Sequence, residues 1–260
     1  MNGRLLFAAL ALAGALGLEA GEGRLVRFDV GKARVDLNPS GANVAPTVRV
    51  GARVFQVGAA VSGDLLEGRR DVRVRSRLTT DYATERLARG GVRVAYAREL
   101  ALAREPADGA PVVGRVETAL VFEDGRVRVR TVVTPAEPGR FRLRAGQPFR
   151  QSVYLPVEPW AGCEVLTTAA DGALRRARFP TRAAFEPKAW GLNTGHPGVK
   201  TVELGFADFA LRLQAGKTAD FRVNRYRDGL DLDGAYANAD TMHAPPWSGA
   251  LAWEFTIECR

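Results

Sequence analysis

Apolar and charged residues alternate with a period of two along most of this chain, as in Val72-Arg73-Val74-Arg75, Val127-Arg128-Val129-Arg130, Phe141-Arg142-Leu143-Arg144, Leu211-Arg212-Leu213 and Phe221-Arg222-Val223. Such alternation predicts strands with one face buried and one wetted. Further strands are expected at Arg24 to Val30, Arg53 to Val61, Val92 to Ala103, Val116 to Phe122, Gln151 to Leu155, Thr201 to Phe206 and Leu251 to Glu258. Asp124-Gly125 and Asp171-Gly172 each separate two such runs and supply the residues a tight hairpin needs, and a third hairpin is expected around Ala207 and Asp208. The best helical candidate is Thr80 to Arg89, with Asp81 as its cap, a loop being the alternative.

Many short strands with closely spaced turns and few helices predict an all-β fold, a large antiparallel β-sandwich. No Pro-, Gly- or Ser-rich linker divides the chain and no internal repeat occurs, so residues 21–260 are expected to form one domain. Two stretches break the alternation. Glu158 to Gly198 collects prolines, glycines and two tryptophans, and Asp228 to Gly249 also reads as irregular. Long loops on a rigid sheet are where binding sites concentrate.

The N-terminus changes the setting. Arg4 precedes an apolar run from Leu5 to Leu18, too short to span a bilayer and matched to a secretory signal over residues 1–20, with small residues at Ala15, Gly17 and Ala20 for cleavage. A secreted or periplasmic protein without stable membrane insertion after cleavage is expected. In that compartment Cys163 and Cys259, the two cysteines of the chain, are a natural disulfide pair, two buried thiols being the alternative.

The net charge of +8 survives signal removal, and only Lys32, Lys188, Lys200 and Lys217 among the 37 basic residues are lysine. Arginine this abundant reflects either a coding bias or an acidic partner such as an acidic polysaccharide, for which outward rows at Arg73, Arg75, Arg128, Arg130, Arg142 and Arg144 would supply guanidinium forks. Nucleic acid is not expected, because aromatic residues are not interleaved with these rows.

Chemistry is carried by few residues. Trp160, Trp190 and Trp247 lie in the irregular stretches and are candidates for stacking on sugar rings, whereas Trp253 alternates with Phe255 and Ile257 and belongs to the core. His196 and His243 are the two histidines, both in loops, and could serve as acid or base with a carboxylate such as Asp231 or Glu203. Asp228, Asp231 and Asp233 place hard oxygen ligands together but lack the twelve-residue loop and closing Glu of an EF-hand. No Gly-x-Ser-x-Gly motif occurs, neither cysteine has the setting of a nucleophile, and no cofactor motif is found, so no cofactor is expected.

From Val92 to Pro156 the order is strand, strand, Asp-Gly hairpin, strand, Pro-containing loop, then Phe149-Arg150-Gln151-Ser152-Val153-Tyr154-Leu155-Pro156, and the chain closes on Trp253-Glu254-Phe255-Thr256-Ile257. This resembles the large carbohydrate-handling β-sandwiches typified by galactose mutarotases. The resemblance implies a sheet that receives a sugar. The family's active-site His followed by an aromatic has no match at His196-Pro197 or His243-Ala244, so the fold by itself does not establish that activity. The expected function is carbohydrate recognition by an exported protein. The alternatives are a mutarotase-like or other sugar-active enzyme and an envelope assembly protein.

Overall fold

The computed structural model describes residues 26–37, 45–77, 82–103, 109–146, 148–179, 198–226, 229–237 and 244–260. Residues 1–20, the expected signal segment, and Trp190, His196, Asp228 and His243 lie outside them.

Among the described residues eighteen strands run in order. The first group is β1 (Val26–Val30), β2 (Ala33–Leu37), β3 (Thr47–Val50), β4 (Arg53–Glu67), β5 (Arg70–Ser76) and β6 (Ala83–Arg86). There follow β7 (Val92–Leu102), β8 (Val112–Glu123), β9 (Arg126–Pro135), β10 (Arg142–Leu143), β11 (Phe149–Pro156) and β12 (Glu164–Ala169). The last are β13 (Leu174–Arg178), β14 (Val199–Gly205), β15 (Ala210–Ala215), β16 (Ala219–Tyr226), β17 (Gly229–Tyr236) and β18 (Leu251–Cys259). All pairings are antiparallel. The circuit β4, β5, β7, β8, β9, β18, β15, β14, β16, β17, β11 returns to β4 and closes the sheet on itself. Closure gives every strand of the circuit a neighbour on both sides, whereas among the described residues β1, β6 and β13 pair on one side, with β2, β7 and β12. Its thinnest seam is the single pair Val199 and Phe221 between β14 and β16.

The ring is flattened into a sandwich. Tyr96 on β7 donates to the Gly58 carbonyl on β4, Thr131 on β9 to Gln151 on β11, and the Trp253 indole on β18 to the Gly234 carbonyl on β17. Phe221 and Phe255 meet edge to face across the same interior. One layer is therefore β7, β8, β9 and β18, and the other is β4, β11, β17 and β16. Gly234 is required where it stands, because a Cβ there would enter the Phe255 ring.

The alternating runs became strands as expected, and the Asp-Gly turns join β8 to β9 and β12 to β13 with φ of 64° at Gly125 and 85° at Gly172. Two expectations fail. Ala83–Arg86, read as helical, is strand β6, because Glu85 and Arg93 pair across to β7 and tertiary pairing overrides a weak helical pattern. Within the supposed irregular stretch from Asp228, Gly229–Tyr236 is a full strand between β11 and β16, its Leu-Asp alternation being the period-two signal itself.

The disulfide is also absent. Cys163 and Cys259 are free thiols. Cys163 precedes β12 and Cys259 ends β18, and β14 and β15 lie between. Three strand spacings amount to roughly 14 Å, twice the reach of a disulfide. Burial pushes the Cys163 thiol up to about 12 and the Cys259 thiol up to about 11, so neither is a thiolate at neutral pH.

Candidate functional site

Strand β11 divides its residues between two environments. Phe149, Gln151, Val153 and Leu155 point into the core, and Arg150, Ser152 and Tyr154 point away from it. Register then fixes their neighbours on the outward face. Arg150 lies between Ser62 of β4 and Ala235 of β17, Ser152 faces Asp233, and Tyr154 lies between Gln56 and Asp231. On the far side of β17, Arg222 of β16 stands opposite Asp233, and Asp220 opposite Ala235.

These charges face away from the core yet are shielded from solvent: the side chains of Arg150, Asp233 and Asp220 are 18%, 10% and 8% exposed. Arg150 Nη1 donates to Asp64 Oδ2 at 3.0 Å, and its Nε lies 4.0 Å from Asp233 Oδ2. Burial alone would raise the Asp64 pKa. The hydrogen bond and charge of Arg150, with Arg73 Nε at 3.5 Å, outweigh it and hold Asp64 below the ordinary carboxylate range. Asp220 accepts from the Gly198 amide at 3.0 Å through Oδ2, and its Oδ1 lies 2.5 Å from Lys200 Nζ, an ion pair without hydrogen-bond geometry. Arg222 Nε is buried with no hydrogen-bond partner among the described residues.

Asp231 is different. Burial raises its pKa, and the one opposing contribution is a 2.6 Å hydrogen bond donated by Ser152 Oγ. The raised pKa of Asp231 and the lowered pKa of Asp64 give this one face two carboxyls of different proton affinity.

The sequence candidates separate accordingly. Asp231 and Asp233 share this face, but as strand residues engaged with Ser152 and near Arg150, not as ligands in a turn, and among the described residues no three His, Cys, Asp or Glu side chains gather to hold a metal. Glu203 on β14 is paired with Arg212 at 3.1 Å. Trp160 and Trp247 are fully buried, not exposed platforms: Trp160 donates to the Val54 carbonyl at 2.6 Å, and Trp247 packs 5.0 Å from the Phe149 ring. Their position in irregular sequence misled, because large aromatics fill the ends of a sandwich as readily as its middle. Trp253 is buried as expected. Arg150, Asp64, Ser152, Arg222 and Asp220 were not singled out from the sequence. Each occupies the polar position of an ordinary alternating strand, and only register brings them together.

The sequence matches no protein-family model and no curated protein. Solved structures share the fold. The chain superposes with a TM-score of 0.54 on the Slr1438 protein from Synechocystis, at 7% identity over 92% of this chain and 96% of that one. It superposes with a TM-score of 0.50 on an Escherichia coli K12 protein carrying the name "Putative aldose 1-epimerase", at 10% identity over 94% and 99%. It matches an α-mannosidase from Enterococcus faecalis with a TM-score of 0.50 and 8% identity, covering 93% of this chain but 30% of the enzyme. The fold is thus the all-β mutarotase-like one that the order of strands suggested.

Proposed function

We propose that this protein recognises a carbohydrate on the outward face of β4, β11, β17 and β16. The observation that carries the proposal is the shielded row of Asp64, Arg150, Asp233 and Arg222 beside the Ser152–Asp231 pair, on a face not used by the core. Sugar hydroxyls both donate and accept, and they are bound best by fixed ionic groups whose own partners keep them in place. Strands about 4.8 Å apart present such groups at intervals close to the width of a pyranose ring. The names carried by two of the structural neighbours, an epimerase of aldoses and a mannosidase, support a sugar as the ligand. We place the mature protein outside the cytoplasm, after removal of residues 1–20.

The test is a glycan array on the mature protein, followed by titration of any hit against Asp231→Asn and Arg150→Met. Binding by the wild type that both variants lose supports the site. A hit that binds both variants as tightly as the wild type moves the site elsewhere, and an array without hits overturns the reading.

The raised pKa of Asp231 favours a second reading, proton transfer at an anomeric centre. Polarimetry of freshly dissolved α-D-glucose and α-D-galactose would then show mutarotation faster than buffer, abolished in Asp231→Asn. Rates equal to buffer leave binding alone.

A further inference from the structure

Beside Ser152 the neighbouring strand is deformed. Gln151 pairs with Val61 and Val153 with Val57, so the Gly58-Ala59-Ala60 run of β4 stands opposite Ser152 alone. Such a bulge withdraws backbone groups from the ladder, and buried ones must find other partners. Two are satisfied by side chains from other strands. The Tyr96 hydroxyl of β7 donates to the Gly58 carbonyl at 2.6 Å, and the Val61 amide donates to Ser76 Oγ of β5 at 2.9 Å. Gly58 has a φ of 74°, and a Cβ there would collide with the Tyr96 hydroxyl, so the two residues fit only as they are.

Tyr96 is itself aimed by a buried chain of hydrogen bonds. The Thr131 hydroxyl donates to Gln151 Oε1 at 2.7 Å, the Gln151 amide donates to Thr118 Oγ1 at 3.2 Å, and Thr118 hydrogen-bonds the Tyr96 oxygen. Because each hydroxyl has a single proton, this order leaves the Tyr96 proton for the Gly58 carbonyl. Thr118, Thr131 and Gln151 are almost wholly buried, where a network costs most if any member is unmatched. Regular pairing resumes at Val61, and Ser62 beside it pairs with Arg150. Gln56, Ser62 and Asp64 carry polar side chains along this stretch, and the partly exposed Ala60, the last residue of the bulge, carries a methyl group.

We propose that the bulge is the specificity wall of the polar face, that Ala60 sets the room left for a ligand beside Ser152, and that Tyr96 is the positioning residue that holds the wall. The sugar arm of the test rests on the reading above; the positioning arm does not.

Wild type, Tyr96→Phe and Ala60→Leu are compared by amide exchange at Val61, by the carbon-13 titration of the Asp231 carboxyl, and by saturation-transfer titration with D-glucose, D-galactose and maltose. Tyr96→Phe should keep the fold, speed exchange at Val61 by about tenfold or more, and move the Asp231 titration down toward an ordinary carboxylate as water gains access. Thr118→Val, which breaks the chain one step upstream, should shift the same two readouts in the same direction. Ala60→Leu should leave the Val61 exchange unchanged and weaken sugar binding by about tenfold or more. Unchanged Val61 exchange and Asp231 titration in both Tyr96→Phe and Thr118→Val would overturn the role of Tyr96. Sugar affinities in Ala60→Leu equal to wild type would overturn the wall. Failure of the wild type to bind all three sugars counts against the carbohydrate reading, and the Val61 and Asp231 readouts still decide whether Tyr96 positions the site.

Discussion

Two outward faces of this sandwich are written in the same alternating code and behave differently. On β9, Arg126 and Arg128 pair with Glu258 and Glu123 at 2.9 and 3.0 Å while their side chains stay 50% and 56% exposed. On β11, Arg150 pairs with Asp64 at the same distance but is 18% exposed. The first face is a solvated surface whose ion pairs largely compensate one another. The second encloses its charges, so each group there sees a lower effective dielectric and depends on its neighbours. Of the outward arginines on or beside β5, β9 and β10, Arg73 meets Asp64, Arg128 meets Glu123 and Arg144 meets Asp71, while Arg142 donates to the Ala244 carbonyl.

The upper bound for either face is set by the core between them. Trp253→Ala should cost roughly 3 to 5 kcal/mol of unfolding free energy, measured by denaturant titration. A substitution on the β9 face that approached this would erase the contrast.

Arg150→Met comes next, because it removes the hydrogen bond to Asp64, leaving that carboxylate the longer contact with Arg73, and takes a cation from beside Asp233. About 3 kcal/mol is expected. A loss under half of that would mean that solvent reaches the face more freely than its exposure suggests.

Asp64 and Asp231 should respond to pH with opposite signs. Asp64 has a folded-state pKa below its ordinary 3.8, so its stabilisation is present above that value and is lost as pH falls through the lowered one. Asp64→Asn should therefore destabilise by about 2 kcal/mol at pH 7, with the deficit shrinking in acid. Asp231 has a folded-state pKa above 3.8, so its contribution is full below 3.8 and is lost as pH rises through the raised value. Asp231→Asn should be neutral or stabilising by up to about 1 kcal/mol at pH 7, with that gain gone below pH ~4. The same sign for both variants would contradict the electrostatic picture of the polar face.

The smallest effect belongs to the solvated face. Arg128→Ala should change stability by no more than about 0.5 kcal/mol. Raising the salt concentration should reduce even that, since an exposed pair is screened. A larger loss would show that the β9 pairs act as a network.

What the sequence by itself determined is most of the secondary structure, β6 being the exception that tertiary pairing decided, and the side of each alternating strand that faces inward. Val127 and Val129 are buried and Arg126 and Arg128 exposed because a strand's period of two is local and the core selects apolar positions. The Asp-Gly turns are legible for the same reason, since positive φ is a local demand. The Leu-Asp alternation of Gly229–Tyr236 was legible too, and only its acidic composition made it look like a loop. Tertiary structure alone decided which polar positions are neighbours. Arg150 and Asp64 are 86 residues apart, and Ser152 and Asp231 are 79 apart. Register between strands distant in sequence brings each pair within hydrogen-bonding distance, and nothing in either segment encodes its partner. It also decided that Cys163 and Cys259 stand three strands apart and that Trp160 and Trp247 close the core, because burial and separation are properties of the closed sheet and not of any stretch of chain.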